Sequence, residues 1–249
     1  MVTAVAASWV ASVVPVASVA AVPAPIAAAV ADAHRPAADR ARDALRKPAA
    51  CIAFAGLKPG DQVGELLPGE GYFTRIFSGV VGPRGHVYAV APPPGPSGRD
   101  YQAGARKLAD DPHYRNVTIL DERLADLKFP QPLDLVWTSQ NYHDLHNIPH
   151  FDVVAFDRRV FAALKPGGIF LVLDHAAAAG SGTRDTDTLH RIDPAVVKRE
   201  VLAAGFELVG QSNLLHRPQD PHTAAVFAPS IRGRTDQFIF KFRKPTTAH

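Results

Sequence analysis

The sequence has a single cysteine, Cys51, among its 249 residues. One thiol cannot form an internal disulfide, and it offers neither a redox pair nor a cysteine-rich zinc site. The chain also lacks any run of lysine or arginine, although 27 basic and 24 acidic side chains give a formal charge of +3. Structural disulfides and cysteine-based metal sites are therefore excluded, and nucleic acid is not expected as a partner.

Charge is missing altogether from residues 1–31, which consist mainly of alanine and valine. Three prolines interrupt this stretch, which disfavours a membrane-spanning helix. Ala-x-Ala steps of the kind a signal peptidase accepts precede the polar sequence that starts at His34. We therefore expect residues 1–33 to be a signal peptide and residues 34–249 to form a periplasmic or secreted domain without stable membrane insertion. Because no basic residue precedes Arg35, a membrane anchor or an uncleaved extension on a cytoplasmic protein stays open.

The rest of the chain alternates between short apolar runs and longer amphipathic ones, the pattern of an α/β domain. Residues 62–67 are typical of a strand, and after a Gly-rich turn the apolar side chains return at helical spacing from Tyr72. Residues 169–173 are apolar without alternation, as in a parallel strand covered by helices on both faces. The alternating runs at 206–210 and 237–242 predict an antiparallel pair at one edge. Further strands are predicted at 86–90, 117–120 and 133–138, and helices at 100–110, 153–164 and 194–204.

Three segments, in this order, resemble the class I S-adenosylmethionine-dependent methyltransferases. They are the Pro-Gly-Glu-Gly loop at 68–71, the strand Leu-Asp-Leu-Val at 133–136, and the helix end, Lys-Pro-Gly-Gly turn and strand at 161–172. Shorter motifs, including Asn-Tyr-His-Asp-Leu at 141–145, resemble a bacterial group of predicted methyltransferases that often carry signal peptides. The resemblance covers residues 37–245 and implies a doubly wound, mostly parallel seven-stranded sheet with an antiparallel C-terminal edge. It also implies S-adenosylmethionine as the cofactor and methyl transfer to a small-molecule acceptor.

The resemblance places the loop after the first strand under the methionine part of the cofactor. Glu65, Gly69 and Gly71 match the family's acidic-x-Gly-x-Gly-x-Gly pattern, but Leu67 stands where its first glycine is expected. The second strand runs into Ala91 and three prolines, where the family usually has a carboxylate that accepts hydrogen bonds from the ribose hydroxyls. The residues predicted to bind the cofactor are Glu65, Gly69, Gly71, Asn141 and, at the adenine end, Asp121 and Glu122.

The loop after the fourth strand, residues 139–144, carries an amide, a phenol, an imidazole and a carboxylate at the edge where ligands of parallel sheets collect. A histidine with a pKa near neutrality suits proton removal from an acceptor, so His143 is the predicted base. Asp174 and His175 end the fifth strand and are expected at the same edge. The predicted catalytic residues are His143, His175, Tyr142 and Asp174. The histidine spacing matches no zinc signature, so no metal site is predicted.

Two other functions stay open. An exported binding protein, or a non-methylating enzyme on the same fold, would account for the missing carboxylate after the second strand. It would also fit the export signal, because S-adenosylmethionine is a cytosolic compound. A metal-dependent hydrolase would use the imidazole and carboxylate ligands supplied by His143, His146, Asp174, His175 and His190. Nothing in the sequence indicates a particular acceptor or oligomeric state.

Overall fold

The computed structural model describes residues 22–94 and 98–246. Seven strands form one sheet in the order β3-β2-β1-β4-β5-β7-β6. β1 to β5 run parallel, and β7 lies antiparallel between β5 and β6. This confirms the predicted fold class, including the antiparallel C-terminal edge. The strands are β1 (Gln62–Leu66), β2 (His86–Val90), β3 (Val117–Leu120), β4 (Leu133–Ser139), β5 (Leu164–His175), β6 (Glu207–Ser212) and β7 (Gln237–Arg243).

Helices cover both faces of the sheet. Among the described residues, four lie before β1, namely α1 (Ala24–Ala31), α2 (Ala37–Arg40), α3 (Asp43–Arg46) and α4 (Pro48–Ala55). The others are α5 (Tyr72–Val81), α6 (Ala103–Arg106), α7 (Val153–Ala163) and α8 (Pro194–Ala203), with 3-10 turns at Gly82–Arg84, Lys107–Asp110, Pro112–Tyr114, Leu124–Asp126 and His143–Asn147.

The core has two layers because successive side chains of a strand point to opposite faces. On β4, Val136 packs with Phe170 and Phe240 in one buried cluster. Its neighbour Trp137 packs in the other cluster, where the ring of Phe73 lies 4.8 Å away. The apolar, non-alternating character of the central strands follows from this double burial.

Two elements differ from the sequence prediction. β5 is longer than residues 169–173, because Leu164 already pairs with Leu133 and the register then shifts before Leu135 pairs with Ile169. The predicted helix at 100–110 is α-helical only over Ala103–Arg106 and continues as a 3-10 turn.

α1 packs on the domain although it lies within the predicted signal peptide. Ile26 is 1% exposed and belongs to the buried cluster that contains Phe77. Gly79 of α5 makes room for this helix, since a Cβ at Gly79 would lie 2.9 Å from the Cβ of Ala29. The buried guanidinium of Arg35 donates to the carbonyl of Val30, and so fixes the end of α1. Residues 22–33 are thus part of the folded unit, whereas residues 1–21 of the predicted signal lie outside the described residues.

Across residues 22–94 and 98–246, no helix combines the length and apolar character needed to span a bilayer.

Candidate functional site

The loop between β1 and α5 contains three residues in left-handed backbone conformations. Leu67, Gly69 and Gly71 have φ angles of 52°, 60° and 76°. Glycine adopts this region freely, whereas a leucine is strained there by about 1–2 kcal/mol. The Asn141 side chain holds the strained turn, because its amide donates to the carbonyls of Leu66 (3.2 Å) and Leu67 (3.0 Å). Asn141, predicted as a cofactor ligand, therefore ties the end of β4 to this loop.

Glu65, the acidic residue of the predicted motif, is buried beneath α5. The Thr74 hydroxyl donates to its carboxylate over 2.6 Å. Burial raises the pKa of Glu65 to about 7, although the Thr74 hydrogen bond and the charges of Arg46 and Arg75 oppose the shift. The carboxyl group is thus directed at the helix that follows the loop, and it carries a proton in mildly acidic solution.

We expect Glu65→Gln to remove part of the pH dependence of stability. In the unfolded chain the carboxyl ionises near its ordinary value, whereas in the folded chain it keeps its proton until about pH 7. The folded state therefore binds more protons across this interval, so its stability falls as pH rises, by about 3 kcal/mol in total. The glutamine variant should match the parent protein near pH 4 and be more stable at pH 8, as measured by urea unfolding at both values.

Glu70→Gln is the matched control, because Glu70 lies exposed on the same loop. It should leave the pH profile unchanged. Equal profiles for the parent protein and Glu65→Gln would contradict a buried, protonated Glu65.

The segment after β2 covers the Gly-rich loop. The side-chain oxygen of Gln102 accepts a hydrogen bond from Gly69 N at 2.6 Å, and Ala105 N donates to Gly69 O at 3.0 Å. Arg106 donates to the carbonyls of Ala91 and Pro92, which fixes the proline-rich turn that replaces the family's acidic strand end. The Gly-rich loop is therefore held by the Gln102 side chain and the Ala105 backbone.

Asp121 and Glu122, predicted at the adenine end, follow β3. The Asp121 carboxylate is exposed and forms an ion pair with Arg106. Arg106 also binds Asp100 at 3.0 Å, so one guanidinium joins the segments that follow β2 and β3. Neither Asp121 nor Glu122 lines the cavity described next.

A cavity of about 320 Å³ opens at the carboxyl edge of β1, β2 and β4. Leu67 forms one wall, the proline turn 92–94 and residues 99–102 form another, and Leu145 closes the third side. Its size and mostly apolar lining, with a few polar groups, are those of a small-molecule site. Asp144 also lines it, which connects the cavity with the histidines below. A larger cavity of about 490 Å³ lies beside residues 127–132, at the amino end of β4 and away from these loops.

Arg46 reaches this region from α3. Its guanidinium lies 4.1 Å from the centre of the Tyr72 ring and 3.4 Å from the Ser139 hydroxyl at the end of β4. Burial, followed by the charge of Arg42, lowers the pKa of Arg46 to about 10, so it remains a cation at neutral pH. A fixed positive charge thus stands beside the Gly-rich loop.

His143 is held by Asp174, and both are buried. Asp174 accepts from His143 N at 2.8 Å and lies 2.9 Å from His143 Nδ1. Burial alone would lower the pKa of the His143 imidazole, but the charge and hydrogen bond of Asp174 raise it above its ordinary value. Burial likewise opposes ionisation of Asp174, yet the charge of His143 lowers the pKa of this carboxyl. The structure therefore brings these two predicted residues together, with Nε2 of His143 left facing the loop.

Nε2 of His143 faces two further polar groups. Asp144 Oδ1 lies 3.3 Å from it, and His190 Nδ1 lies 3.7 Å from the same oxygen. The Asp144 side chain is 45% exposed and that of His190 33%, so this cluster of three opens to solvent. His190 reaches it from a residue with a φ of 54°, in the segment that leads to α8.

Tyr142 is fully buried on the other side of the turn. Its hydroxyl donates to Asp157 over 2.7 Å, and Glu200 lies 3.3 Å away. Burial and these two carboxylates raise the pKa of the Tyr142 phenol well above its ordinary value. The predicted catalytic Tyr142 is therefore placed in a packing network rather than at the open cluster.

His175 also lies outside the open cluster. Its Nδ1 is 2.8 Å from the Thr235 hydroxyl, and its ring centre is 6.3 Å from that of His143. Burial, aided by the charges of His143 and Arg191, lowers the pKa of His175 to about 3. This imidazole remains neutral and helps to attach the segment before β7.

Arg46, Asp100 and Asp144 were absent from the sequence-based site prediction, and His190 was named there only as a possible metal ligand. Arg46 lies before β1 and Asp100 lies after the proline turn, so both are outside the motifs that carried the resemblance. His190 and Asp144 stood in motifs of interest, but only the fold shows that they meet His143.

No protein-family model matches the sequence. Among curated proteins it is similar to the ubiquinone/menaquinone biosynthesis C-methyltransferase UbiE of Pseudomonas paraeruginosa, with 30% identity over 131 residues, 52% of this chain and 48% of the relative. The UbiE protein of Vibrio vulnificus is 32% identical over 124 residues, 49% of this chain and 44% of the relative. The chain thus spans about half the length of the curated relatives it matches.

Solved structures share the fold over most of the chain. An S-adenosylmethionine-dependent methyltransferase from Aquifex aeolicus has a TM-score of 0.54 at 17% identity, covering 77% of this chain and 86% of the other. The glycopeptide N-methyltransferase MtfA, solved with sinefungin, has a TM-score of 0.55 at 19% identity, covering 82% and 86%. The 4+2 cyclase SpnF reaches 0.59 at 19% identity, covering 85% and 82%. These similarities confirm the resemblance to the class I methyltransferase superfamily at the level of the fold.

Proposed function

We propose that this chain, which has the fold of the class I S-adenosylmethionine-dependent methyltransferases, transfers a methyl group from S-adenosylmethionine to a small-molecule acceptor. The cavity between Leu67, the proline turn and Leu145 carries this proposal, because it lies where ligands of this sheet topology bind. The UbiE matches, which span about half of this chain, support the same reaction class.

The residues of the cavity fit the cofactor's chemistry. Leu67, Leu124 and Leu145 offer apolar walls for an adenine ring. Asp100 lines the same cavity and supplies a carboxylate for a ribose diol, in place of the acidic residue missing after β2. Arg46 does not line the cavity, but it lies beside Tyr72 and Ser139 and would supply a positive charge for the carboxylate of the amino-acid part.

The chain's own residues would then position the acceptor and take up its proton. When bound, S-adenosylmethionine would supply a methyl group attached to a positively charged sulfur. Asp174 holds His143 Nδ1, so Nε2 is the atom available to accept a proton from the acceptor at the solvent-open side. Alignment of the acceptor beside this imidazole is the main contribution that the fold can make.

One observation favours a second candidate, a ligand-binding protein or non-methylating enzyme on this fold. Gly69 N, in the loop that the resemblance assigns to the cofactor, already donates a hydrogen bond to Gln102. The Leu67 side chain, at the position of the family's first glycine, lines the cavity where the cofactor would bind. The similarity to SpnF, which is described as a cyclase, shows that the fold serves other reactions.

Calorimetric titration of the full chain with S-adenosylmethionine, and separately with S-adenosylhomocysteine, decides between the two. Micromolar binding of both is expected, and Asp100→Asn should weaken it about tenfold if the carboxylate holds the ribose. Asp126→Asn, which changes an exposed carboxylate outside the cavity, is the control. Absence of heat and of thermal stabilisation with either compound would favour the second candidate.

We also propose that the chain is exported, on the strength of the uncharged alanine- and valine-rich residues 1–31. Because Ile26 is buried in the domain, processing at the Ala-x-Ala steps between 27 and 33 would remove a packed helix. Processing should therefore occur at or before Pro23. Mass spectrometry of the exported protein tests this, and a mature chain that starts at His34 would contradict it.

A further inference from the structure

We propose that His143, Asp144 and His190 form a binding site for one divalent transition-metal ion of the Zn²⁺ type. One ligand atom from each residue lies within 4.8 Å of the others. Two imidazole nitrogens and one carboxylate oxygen are a donor set that such ions prefer over Mg²⁺ or Ca²⁺. The spacing of these residues does not indicate a metal site, because His190 is far from the other two along the chain.

The distances are close to those of a coordinated set. Asp144 Oδ1 lies 3.3 Å from His143 Nε2 and 3.7 Å from His190 Nδ1. Ligands at about 2.1 Å from a tetrahedral ion are separated by roughly 3.4 Å. The two separations from Asp144 are close to this value, and the nitrogens of His143 and His190 lie within 4.8 Å of each other. Asp144 and His190 are partly exposed, so their side chains can adjust without disturbing the core.

Asp174 completes the arrangement from behind. It contacts His143 Nδ1 at 2.9 Å, which leaves Nε2 as the atom that faces Asp144 and His190. Histidine ligands of metals usually bind a carboxylate through their other nitrogen in this way, which fixes the ring and strengthens the ligand. Asp174 is fully buried, so this orientation is built into the fold.

The cluster also leaves room for a further ligand. Three protein ligands with an open, solvent-accessible side are typical of catalytic rather than structural zinc sites. Asp144 lines the cavity beside Leu67 as well, so an ion at this cluster would border the proposed cofactor site.

A consequence for the acceptor rests on the proposed function. A bound cation lowers the pKa of a hydroxyl that coordinates it, so the acceptor would be an oxygen compound such as an alcohol, enol or vicinal diol. In the loaded protein His143 Nε2 is a ligand, and the acceptor's proton passes to solvent instead of to the imidazole.

The test uses the full chain, purified without a polyhistidine tag, treated with EDTA and then titrated with Zn²⁺ by calorimetry and with Co²⁺ by visible absorption. One ion per chain is expected, with the d–d bands of a four- or five-coordinate Co²⁺ site and no comparable binding of Mg²⁺. Asp144→Asn and His190→Ala should each weaken Zn²⁺ binding at least about tenfold. His150→Asn removes an exposed histidine outside the cluster and should leave the affinity unchanged.

Asp144→Asn and His190→Ala alter partly exposed side chains, so circular dichroism should show that both variants remain folded. Lack of stoichiometric binding, or binding that survives both substitutions, would overturn the site. These titrations contain no cofactor or acceptor. Failure of metal binding therefore leaves the methyltransferase proposal standing, and failure to bind S-adenosylmethionine leaves the metal site standing.

Discussion

Replacing Ile26 by alanine is expected to lower the free energy of unfolding by about 3 kcal/mol, the usual cost of emptying a buried isoleucine site. Ile26 is 1% exposed and packs in the cluster that contains Ile52, Ile76 and Phe77. The test is informative because Ile26 belongs to a segment whose sequence is typical of a cleaved leader. Urea unfolding followed by circular dichroism measures it.

Val22→Ala is the matched control from the same alanine- and valine-rich stretch. Val22 is 39% exposed, so its truncation should change stability by less than about 0.5 kcal/mol. Equal effects of the two substitutions would mean that α1 does not pack on the domain in solution. Processing at the Ala-x-Ala steps between residues 27 and 33, as the sequence predicts, would then no longer remove a packed helix.

Most of the fold was predictable because each strand has a local signal. β2 and β3 have the predicted bounds, since both are short apolar runs between turns. The extent of β5 was not predictable, because the pairing of Leu164 with Leu133 depends on a register shift between two strands. The packing of α1 also escaped prediction, since alanine-rich sequence suits a leader and a buried helix equally well.

The site was predictable only in part. The pairing of His143 with Asp174 follows from placing the ends of β4 and β5 at one edge of a parallel sheet. Whether a side chain near such an end faces the cleft or the core is decided by local turns. Tyr142, next to His143, is turned towards Asp157 and is fully buried.

Long-range partners account for the rest. His190 meets Asp144 across the chain, and Asp100 lines the cavity from the irregular segment after β2. No sequence spacing predicts either position, since each depends on how an irregular segment folds back over the sheet. Val226 N, which donates to the carbonyl of Leu189 at 3.1 Å, shows how the segment before β7 supports the backbone next to His190.

Asp174→Asn should have a larger effect than Ile26→Ala. We expect a loss of about 4 kcal/mol in the free energy of unfolding, because the substitution breaks a fully buried ion pair. Asp174 accepts hydrogen bonds from His143 N at 2.8 Å and His175 N at 2.7 Å, and it lies 2.9 Å from His143 Nδ1. An asparagine has one oxygen for these three donors, and its amide nitrogen would face an N–H group. Water cannot replace the lost interactions, since the Asp174 side chain is fully buried.

The pH dependence of this stabilisation follows from the pKa shifts of His143 and Asp174. Since the pKa of His143 is raised and that of Asp174 lowered, the pair stabilises the fold most between the two ordinary pKa values. That contribution is lost as pH falls through the Asp174 pKa or rises through the His143 pKa. Urea unfolding in EDTA should therefore show the largest difference between Asp174→Asn and the parent protein near pH 5 to 6, and a smaller one at pH 9. Asp144→Asn, at a partly exposed carboxylate, should cost less than about 1 kcal/mol under the same conditions. A stable Asp174→Asn variant with an unchanged pH profile would contradict the buried pair, and with it the fixed orientation of His143 on which the site depends.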